Sequence, residues 1–181
     1  NFADMRRALD PNFRFTLARS LYKTILRYVN GNHSLACVVQ PLPVSNFRIV
    51  RTADNQLQLS WLPVTDRLEP SAVPTTYNIY IAEGKNGFDN GRSVSSTSFT
   101  FTPKPNVVYQ FRVTAVNRGG ESFPSTTLAA CVSAQAGARD VLVVDGFTRF
   151  AGPAVVDDGT RQGFDLDADM GVSLGINAGF V

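Results

Sequence analysis

The chain has 181 residues, 44% of them apolar, which suffices for a packed core and excludes global disorder. Its 17 basic and 15 acidic residues leave a net charge of +2 with no dense Lys/Arg run, so no nucleic-acid footprint is expected. No stretch approaches the ~18 consecutive apolar residues of a membrane span, and two cysteines are too few for a disulfide framework or a zinc site.

No charged segment followed by an apolar one comes after Asn1, so no signal peptide is expected within these residues. Residues 1–31 read as helical. Phe2, Met5 and Leu9 form a short first turn, and Asp10-Pro11 starts the main helix, with Asp as N-cap and Pro in the first helical position. Leu17, Leu21, Ile25 and Val29 then recur every four residues, flanked by Ala18, Tyr22 and Leu26. Arg14, Arg19, Lys23 and Arg27 lie off that stripe, and Asn30-Gly31 reads as the C-cap. So wide an apolar stripe needs a partner surface. Residues 32–42 read as a linker and not as that surface. His33, the only histidine, reads as a solvated linker residue, because no second His or Cys pair stands at ligand spacing. Asn32-His33-Ser34 is formally a glycosylation sequon, meaningful only in a eukaryotic secretory setting.

Residues 43–134 read as all-β. Phe47 and Ile49 alternate in a first strand, and Leu57, Leu59 and Trp61 in a second that Pro63 ends. Tyr77, Ile79 and Ile81 form a third, with Asn78 and Tyr80 on its outer face. Gly84–Arg92 is a polar loop carrying Phe88. Val94 marks a short edge strand, and Phe99 and Phe101 alternate in the next. Tyr109, Phe111, Val113 and Ala115 give one dry face, with Gln110, Arg112 and Thr114 on a wet one. Asn117-Arg118-Gly119-Gly120 then turns the chain, and a return strand is expected after Pro124. Short alternating strands with frequent turns predict a β-sandwich. Cys37 and Cys131 read as two free buried thiols, or as a bridge if the compartment is oxidising.

Residues 135–140 form a small polar linker. Val141–Val144 followed by Asp145-Gly146 reads as a buried parallel strand opening an α/β domain, with Asp145 where such folds place ligands. A domain of that class needs about 100 residues, so residues 141–181 read as the truncated start of one. Asp165, Asp167 and Asp169 imitate a calcium loop, but Met170 stands where the turn needs Gly and Ile176 where a bidentate Glu belongs. They read as solvated loop acids. The glycines of 171–179 lack phosphate-loop spacing. No Ser-His-Asp, Cys-His or paired-carboxylate site is evident, so no catalytic residue, metal ligand or cofactor is assigned. Tyr80 and Phe88, as outward aromatics, are the candidate binding residues, suited to a sugar face.

Pro43 and Phe47, Leu59-Ser60-Trp61, Tyr77-x-Ile79, Tyr109-x-Phe111-x-Val113-x-Ala115-x-Asn117 and Gly120-Glu121-Ser122-x-Pro124-Ser125 together resemble a fibronectin type III domain. The resemblance implies that Trp61 is the core tryptophan of the second strand. It also implies that Tyr109 bonds backbone just upstream through its hydroxyl, with Tyr77 and Phe111 structural beside them. Lys104-Pro105-Asn106 departs from the usual Leu-x-Pro-Gly, which predicts an altered corner there. Asn1–Met5, Leu9–Phe15 and Ala18-x-x-Leu21-Tyr22-x-x-Ile25-x-x-Tyr28 resemble the C-terminal end of zinc-dependent N-acetylmuramoyl-L-alanine amidases. In that family the zinc ligands and catalytic glutamate lie upstream of this helix. Val141–Phe150 and Gly163-Phe164-Asp165 are similar to a domain that follows a fibronectin module in large Bacteroidetes-type proteins often labelled xanthan lyase or amidase.

The expected organisation is therefore an amidase-like C-terminal helix (1–31), a linker (32–42), a fibronectin type III β-sandwich (43–134), a second linker (135–140) and an incomplete α/β segment (141–181). The resemblances imply a non-catalytic spacer in an exported, periplasmic or extracellular, peptidoglycan-acting amidase. Its partners would be neighbouring domains of the same protein. A polysaccharide-binding or xanthan-lyase accessory module, working on cell-wall or extracellular polysaccharide, and a protein-interaction adaptor are the alternatives.

Overall fold

The computed structural model describes residues 2–135, 137–143 and 153–168. The chain divides into two compact units, one of residues 1–25 and 140–181, the other of residues 26–139.

The helical segment is two helices, α1 (Phe2–Leu9) and α2 (Pro11–Asn32). Asp10 separates them and caps the second: its Oδ1 accepts from the Asn12 N–H at 2.8 Å, and its carbonyl accepts the first helical bond from Arg14 at 3.1 Å. The C-terminus lies beyond the expected Asn30-Gly31 cap. The helix continues through Asn32, and Ser34 takes the left-handed turn with φ 53°. Leu35 N–H donates to the Asn30 carbonyl at 2.9 Å and Ser34 N–H to that of Gly31 at 3.3 Å, the paired bonds of a Schellman ending. No residue of α2 is buried. Leu17, Leu21, Ile25 and Val29 are 52%, 59%, 62% and 45% exposed, so the stripe finds no cover within the described residues.

The second unit is the sandwich. Strands β1 (Ser45–Arg51), β2 (Leu57–Leu62) and, further on, β5 (Ser98–Phe101) form one antiparallel sheet in the order β1-β2-β5. The other holds β3 (Thr76–Glu83), β4 (Arg92–Val94), β6 (Val108–Asn117), β7 (Gly120–Glu121) and β8 (Leu128–Cys131), with β3 and β6 central and β4 at one edge. The alternation in the sequence sets the inner faces. Leu57, Leu59 and Trp61 meet Tyr77, Ile79, Ile81, Tyr109, Phe111, Val113 and Ala115 in one buried cluster. Trp61 stands edge-on to Tyr77, ring centroids 5.5 Å apart, and Phe101 packs edge-on against both Tyr109 (4.9 Å) and Phe111 (5.4 Å).

At the corner below β6, the Tyr109 hydroxyl accepts from the Lys104 backbone N–H at 3.3 Å. Asn106, where the resemblance leads one to expect Gly, adopts φ 61°. Asn is the residue that tolerates this conformation best after Gly. Its side chain adds what Gly cannot, accepting from the Ala134 N–H at 3.0 Å.

The return strand expected after Pro124 is found as β8, but a brief pairing, β7, precedes it at Gly120, and the chain leaves the ladder between the two. In the gap Ser122 and Ser125 replace strand backbone. Ser122 N–H donates to the Ala115 carbonyl (2.8 Å) while its Oγ accepts from the Ala115 N–H (2.9 Å). Ser125 does the same with Val113, at 2.8 and 3.0 Å. Pro124 has no N–H to offer a ladder, and the two hydroxyls satisfy β6 on either side of it. Ser122→Ala strands the buried Ala115 N–H and should lower unfolding free energy by about 2 kcal/mol in urea titrations; an unchanged midpoint would refute that role.

Residues 35–42 are not a loose linker. Val39 is fully buried and Pro41 nearly so. Val39 N–H donates to Ser71 Oγ at 3.1 Å, and the Val39 carbonyl accepts from Asn117 Nδ2 at 2.9 Å. Cys37 is half-buried and Cys131 exposed, both as free thiols, so neither the buried pair nor the bridge is found.

In the first unit, β9 (Ala154–Asp157) and β10 (Gln162–Asp165) form an antiparallel hairpin. Asp158 caps its turn, accepting from Thr160 Oγ1 (2.7 Å) and from the N–H groups of Arg161 (2.7 Å) and Thr160 (2.9 Å), which holds its carboxyl down at about 2. Phe2 packs on Phe164 with centroids 5.4 Å apart, and Arg6 approaches Asp157 at 3.6 Å. The buried parallel strand expected from Val141 is not found at Val141, Leu142 or Val143, which are 85%, 86% and 85% exposed and outside any strand. A parallel strand needs neighbours and covered faces, and none of the described strands pairs with these residues. Asp145, Asp169 and the glycines of 171–179 lie outside the described residues. Asp165 Oδ1 accepts from the N–H groups of Asp167 and Ala168, both at 3.0 Å, as a turn cap.

Candidate functional site

Two polar constellations stand out in the sandwich unit. The first covers the outer face of the β3–β6 sheet. The ladder places Tyr80 directly opposite Arg112 and Asn78 opposite Thr114. Pairing of Val116 with Glu121 brings the Glu121 carboxylate to the same face. Its Oε1 accepts from the Tyr80 hydroxyl at 2.6 Å, from Asn78 Nδ2 at 3.3 Å and from Thr114 Oγ1. Phe88 arrives from the loop after β3. Asp89 pins that loop by exchanging bonds with Ile81: its N–H donates to the Ile81 carbonyl (2.9 Å), and its Oδ1 accepts from the Ile81 N–H (3.0 Å). Gly91 (φ 80°) leaves room for the Tyr80 ring, whose Cε1 would lie 2.9 Å from any Cβ there.

The two candidate binding residues, Tyr80 and Phe88, are thus brought to one patch, but their faces are not empty. The Arg112 guanidinium carbon lies 4.1 Å from the Phe88 centroid and 5.2 Å from that of Tyr80. Arg112 Nε is buried and has no hydrogen-bond partner among the described residues, while the guanidinium charge acts on both rings and on the Glu121 carboxylate. Nor is the face wet as expected: Thr114 is 4% exposed. Thr114 Oγ1 donates to the Glu121 carboxylate laid over it, a contact that alternation along a single strand does not reveal.

Tyr80 and Glu121 shift each other. The hydrogen bond to Glu121 raises the phenol first, then burial and the carboxylate's charge. Burial alone would raise Glu121, but the bonds from Thr114, Tyr80 and Asn78 and the charge of Arg112 outweigh it and hold the carboxyl below its ordinary value. The Glu121 contribution is present above the ordinary value, about 4.3, and is lost as pH falls through the lower folded value. The Tyr80 contribution is present below about 10 and is lost as pH rises through the raised folded value. Glu121→Gln should therefore flatten the acid limb of a stability–pH profile, and Tyr80→Phe the alkaline limb. Parallel profiles for variant and parent would refute the pairing.

The second constellation gathers where the chain enters the sandwich. Asn117 Nδ2 donates to the carbonyls of Val39 (2.9 Å), Ser71 (3.2 Å) and Val73 (3.3 Å), while its Oδ1 accepts from the Gly119 N–H (2.8 Å). Ser71 Oγ donates to Glu69 Oε1 at 2.9 Å, and Glu69 Oε2 accepts from Arg27 Nη2 at 2.8 Å. Glu69 is 8% exposed, and both its oxygens are engaged. Three segments far apart in the chain, the end of α2 with the entry segment, the β2–β3 loop and the β6–β7 turn, are joined here. The sequence marks Asn117 only as a turn residue and gives Glu69 and Ser71 no partner, since a polar network among loops leaves no periodic signal. Among the described residues no group of three or more His, Cys, Asp or Glu side chains is placed to hold a metal, and no helix is long and apolar enough to cross a membrane.

No curated protein matches the chain. Among solved structures, the twitchin kinase region of C. elegans is 23% identical over 55% of this chain and 18% of its own, with a TM-score of 0.47. The fourth FNIII domain of a human protein is 22% identical over 59% of this chain and 90% of its own, also at 0.47. Titin kinase with its flanking domains is 19% identical over 52% and 18%, at 0.45. The chain thus spans under a fifth of the twitchin and titin structures. The Fibronectin type III domain family matches residues 42–130, the same stretch that folds as two antiparallel sheets around Trp61 and Phe111. The chain is mainly β and carries a fibronectin type III-like β-sandwich domain.

Proposed function

We propose that this domain is a non-catalytic spacer that holds the segment before it in a set orientation. The observation that supports this is the Arg27–Glu69–Ser71–Val39–Asn117 chain of bonds. Loops are where a sandwich ordinarily offers groups to partners. Here the β2–β3 loop and the β6–β7 turn are engaged in gripping the end of α2 and the segment that follows it. A label pair at Tyr28 and Thr100, both exposed, with Cys37 and Cys131 replaced by Ser, tests the reading. Pulsed electron–electron resonance should give one narrow distance distribution, broadened by Glu69→Ala. A broad distribution without that substitution would overturn it.

We further propose that the spacer serves an exported, cell-wall-acting zinc amidase, with neighbouring domains as its partners. The support is the resemblance of residues 1–31 to the end of such amidases, together with the family match at 42–130. Zinc-dependent release of stem peptide from peptidoglycan by the protein that carries this chain would agree; its absence would refute the assignment. Polysaccharide binding by Tyr80 and Phe88 is the second reading. It is favoured by their convergence on one patch and opposed by Arg112 lying on their faces. Retention of the chain on xanthan or peptidoglycan, abolished by Phe88→Ala, would select it.

A further inference from the structure

Beside the gripped loop lies a cavity of about 200 Å³, walled by Pro63, Val64, Pro70, Val73 and Pro74 and floored by Tyr77. Its size excludes drug-sized ligands, whose pockets run to about 300–1,000 Å³. The walls are aliphatic and leave room for one small apolar group.

The floor is the informative part. Tyr77 is only 5% exposed. Its ring is fixed edge-on to Trp61, 5.5 Å between centroids. Among the described residues its hydroxyl has no hydrogen-bond partner, and burial raises its pKa, so it stays a neutral donor. The oxygen itself is not among the fully buried unpartnered polar atoms of the described residues, so it can meet an acceptor that enters the cavity. The chemistry of the rim narrows what would pair with it. Glu69 and Asp66 line the same cavity and disfavour an anion. Both Glu69 oxygens are already taken by Arg27 and Ser71, so nothing there awaits a cation.

We propose that this cavity binds an acetamido group, its methyl against the proline walls and its carbonyl oxygen accepting from the Tyr77 hydroxyl. Such groups occur on N-acetylated amino sugars and on blocked peptides. The inference rests on the cavity alone and does not depend on the amidase assignment.

The test is a titration of the whole 181-residue chain, read at the indole N–H of its single tryptophan and at the amides of Ala72 and Val73. N-acetylglucosamine should shift these signals with half-saturation on the order of 10 mM, as befits so few buried atoms. Glucose, which lacks the acetamido group, should not. Tyr77→Phe keeps the contact with Trp61 and should weaken binding about five-fold, the worth of one hydrogen bond. The same variant should unfold at an unchanged or higher denaturant concentration, because its hydroxyl has no protein partner to lose. N-acetylalanine methylamide separates the sources: a response to it as well keeps the acetamido class and extends it to peptides, while silence assigns the site to sugars. An equal response to glucose, no response to N-acetylglucosamine, or full affinity in Tyr77→Phe would overturn the proposal.

Discussion

Gly119→Ala should cost about 3 kcal/mol and release the entry segment from the sandwich. A Cβ at Gly119 would sit 2.3 Å from the Val38 carbonyl oxygen and 2.7 Å from its carbon, both backbone atoms that no rotamer change can move aside. Overpacking of this kind typically costs about 1–3 kcal/mol. The displaced segment would also lose the Asn117–Val39 and Val39–Ser71 bonds, each worth about 1 kcal/mol. Asn117→Ala removes the same links from the other side, leaving carbonyls of Val39, Ser71 and Val73 short of a donor, and should cost a similar amount. Urea unfolding followed by Trp61 fluorescence gives the free energies. Amide exchange at Val39 should accelerate in both variants, while exchange at Phe111 follows only the global loss. Gly87→Ala, where nothing lies within 4 Å, is the control and should stay within about 0.5 kcal/mol. A Gly119→Ala protein as stable as that control would mean that the entry segment is not held there.

The contrast between these positions and the core explains how far the sequence could be read. The strands that carry most of the core announce themselves by alternation: Leu57-x-Leu59-x-Trp61, Tyr77-x-Ile79-x-Ile81 and Tyr109-x-Phe111-x-Val113-x-Ala115 are all buried on schedule. Asp10-Pro11 likewise marked the start of α2, because capping depends on adjacent residues. What stayed hidden depends on residues distant in the chain. Val39 reads as linker until Ser71 and Asn117 close around it. Ser122 and Ser125 read as turn residues until their hydroxyls are seen taking the place of ladder carbonyls. Thr114 reads as wet until Glu121 covers it. Tyr80 and Phe88 were recognisable as outward aromatics, but the cation between them comes from a strand some thirty residues away, through register and not through pattern. Local chemistry was legible, then, and cross-strand chemistry was not. The spacer reading rests on the second kind.

Phe111→Ala should have the largest effect of any single truncation in the sandwich, about 4 kcal/mol. Phe111 is fully buried on the central strand β6. Its ring meets Phe101 across the core at 5.4 Å, edge-on, and Tyr109 on its own strand at 6.3 Å. Removing it opens a cavity between two sheets, each kept stiff by its own hydrogen-bond ladder, so little collapse is available to relieve the loss. It also loses the edge-on aromatic contact, worth about 0.5–1.5 kcal/mol beyond area. For a sandwich of this size each kcal/mol lowers the midpoint by about 4–8 °C, so a fall on the order of 20 °C is expected in a thermal melt. Phe123→Ala makes the comparison sharp. Phe123 lies in the gap between β7 and β8 and is 64% exposed, so the same deletion there should move the midpoint by no more than about 3 °C. If the two variants melted together, the core would lie somewhere other than between Trp61 and Phe111. If Phe111→Ala alone melted early while the label distance from Tyr28 to Thr100 stayed narrow below the transition, the grip on the entry segment would depend on its own bonds and not on the tightness of the core beneath it.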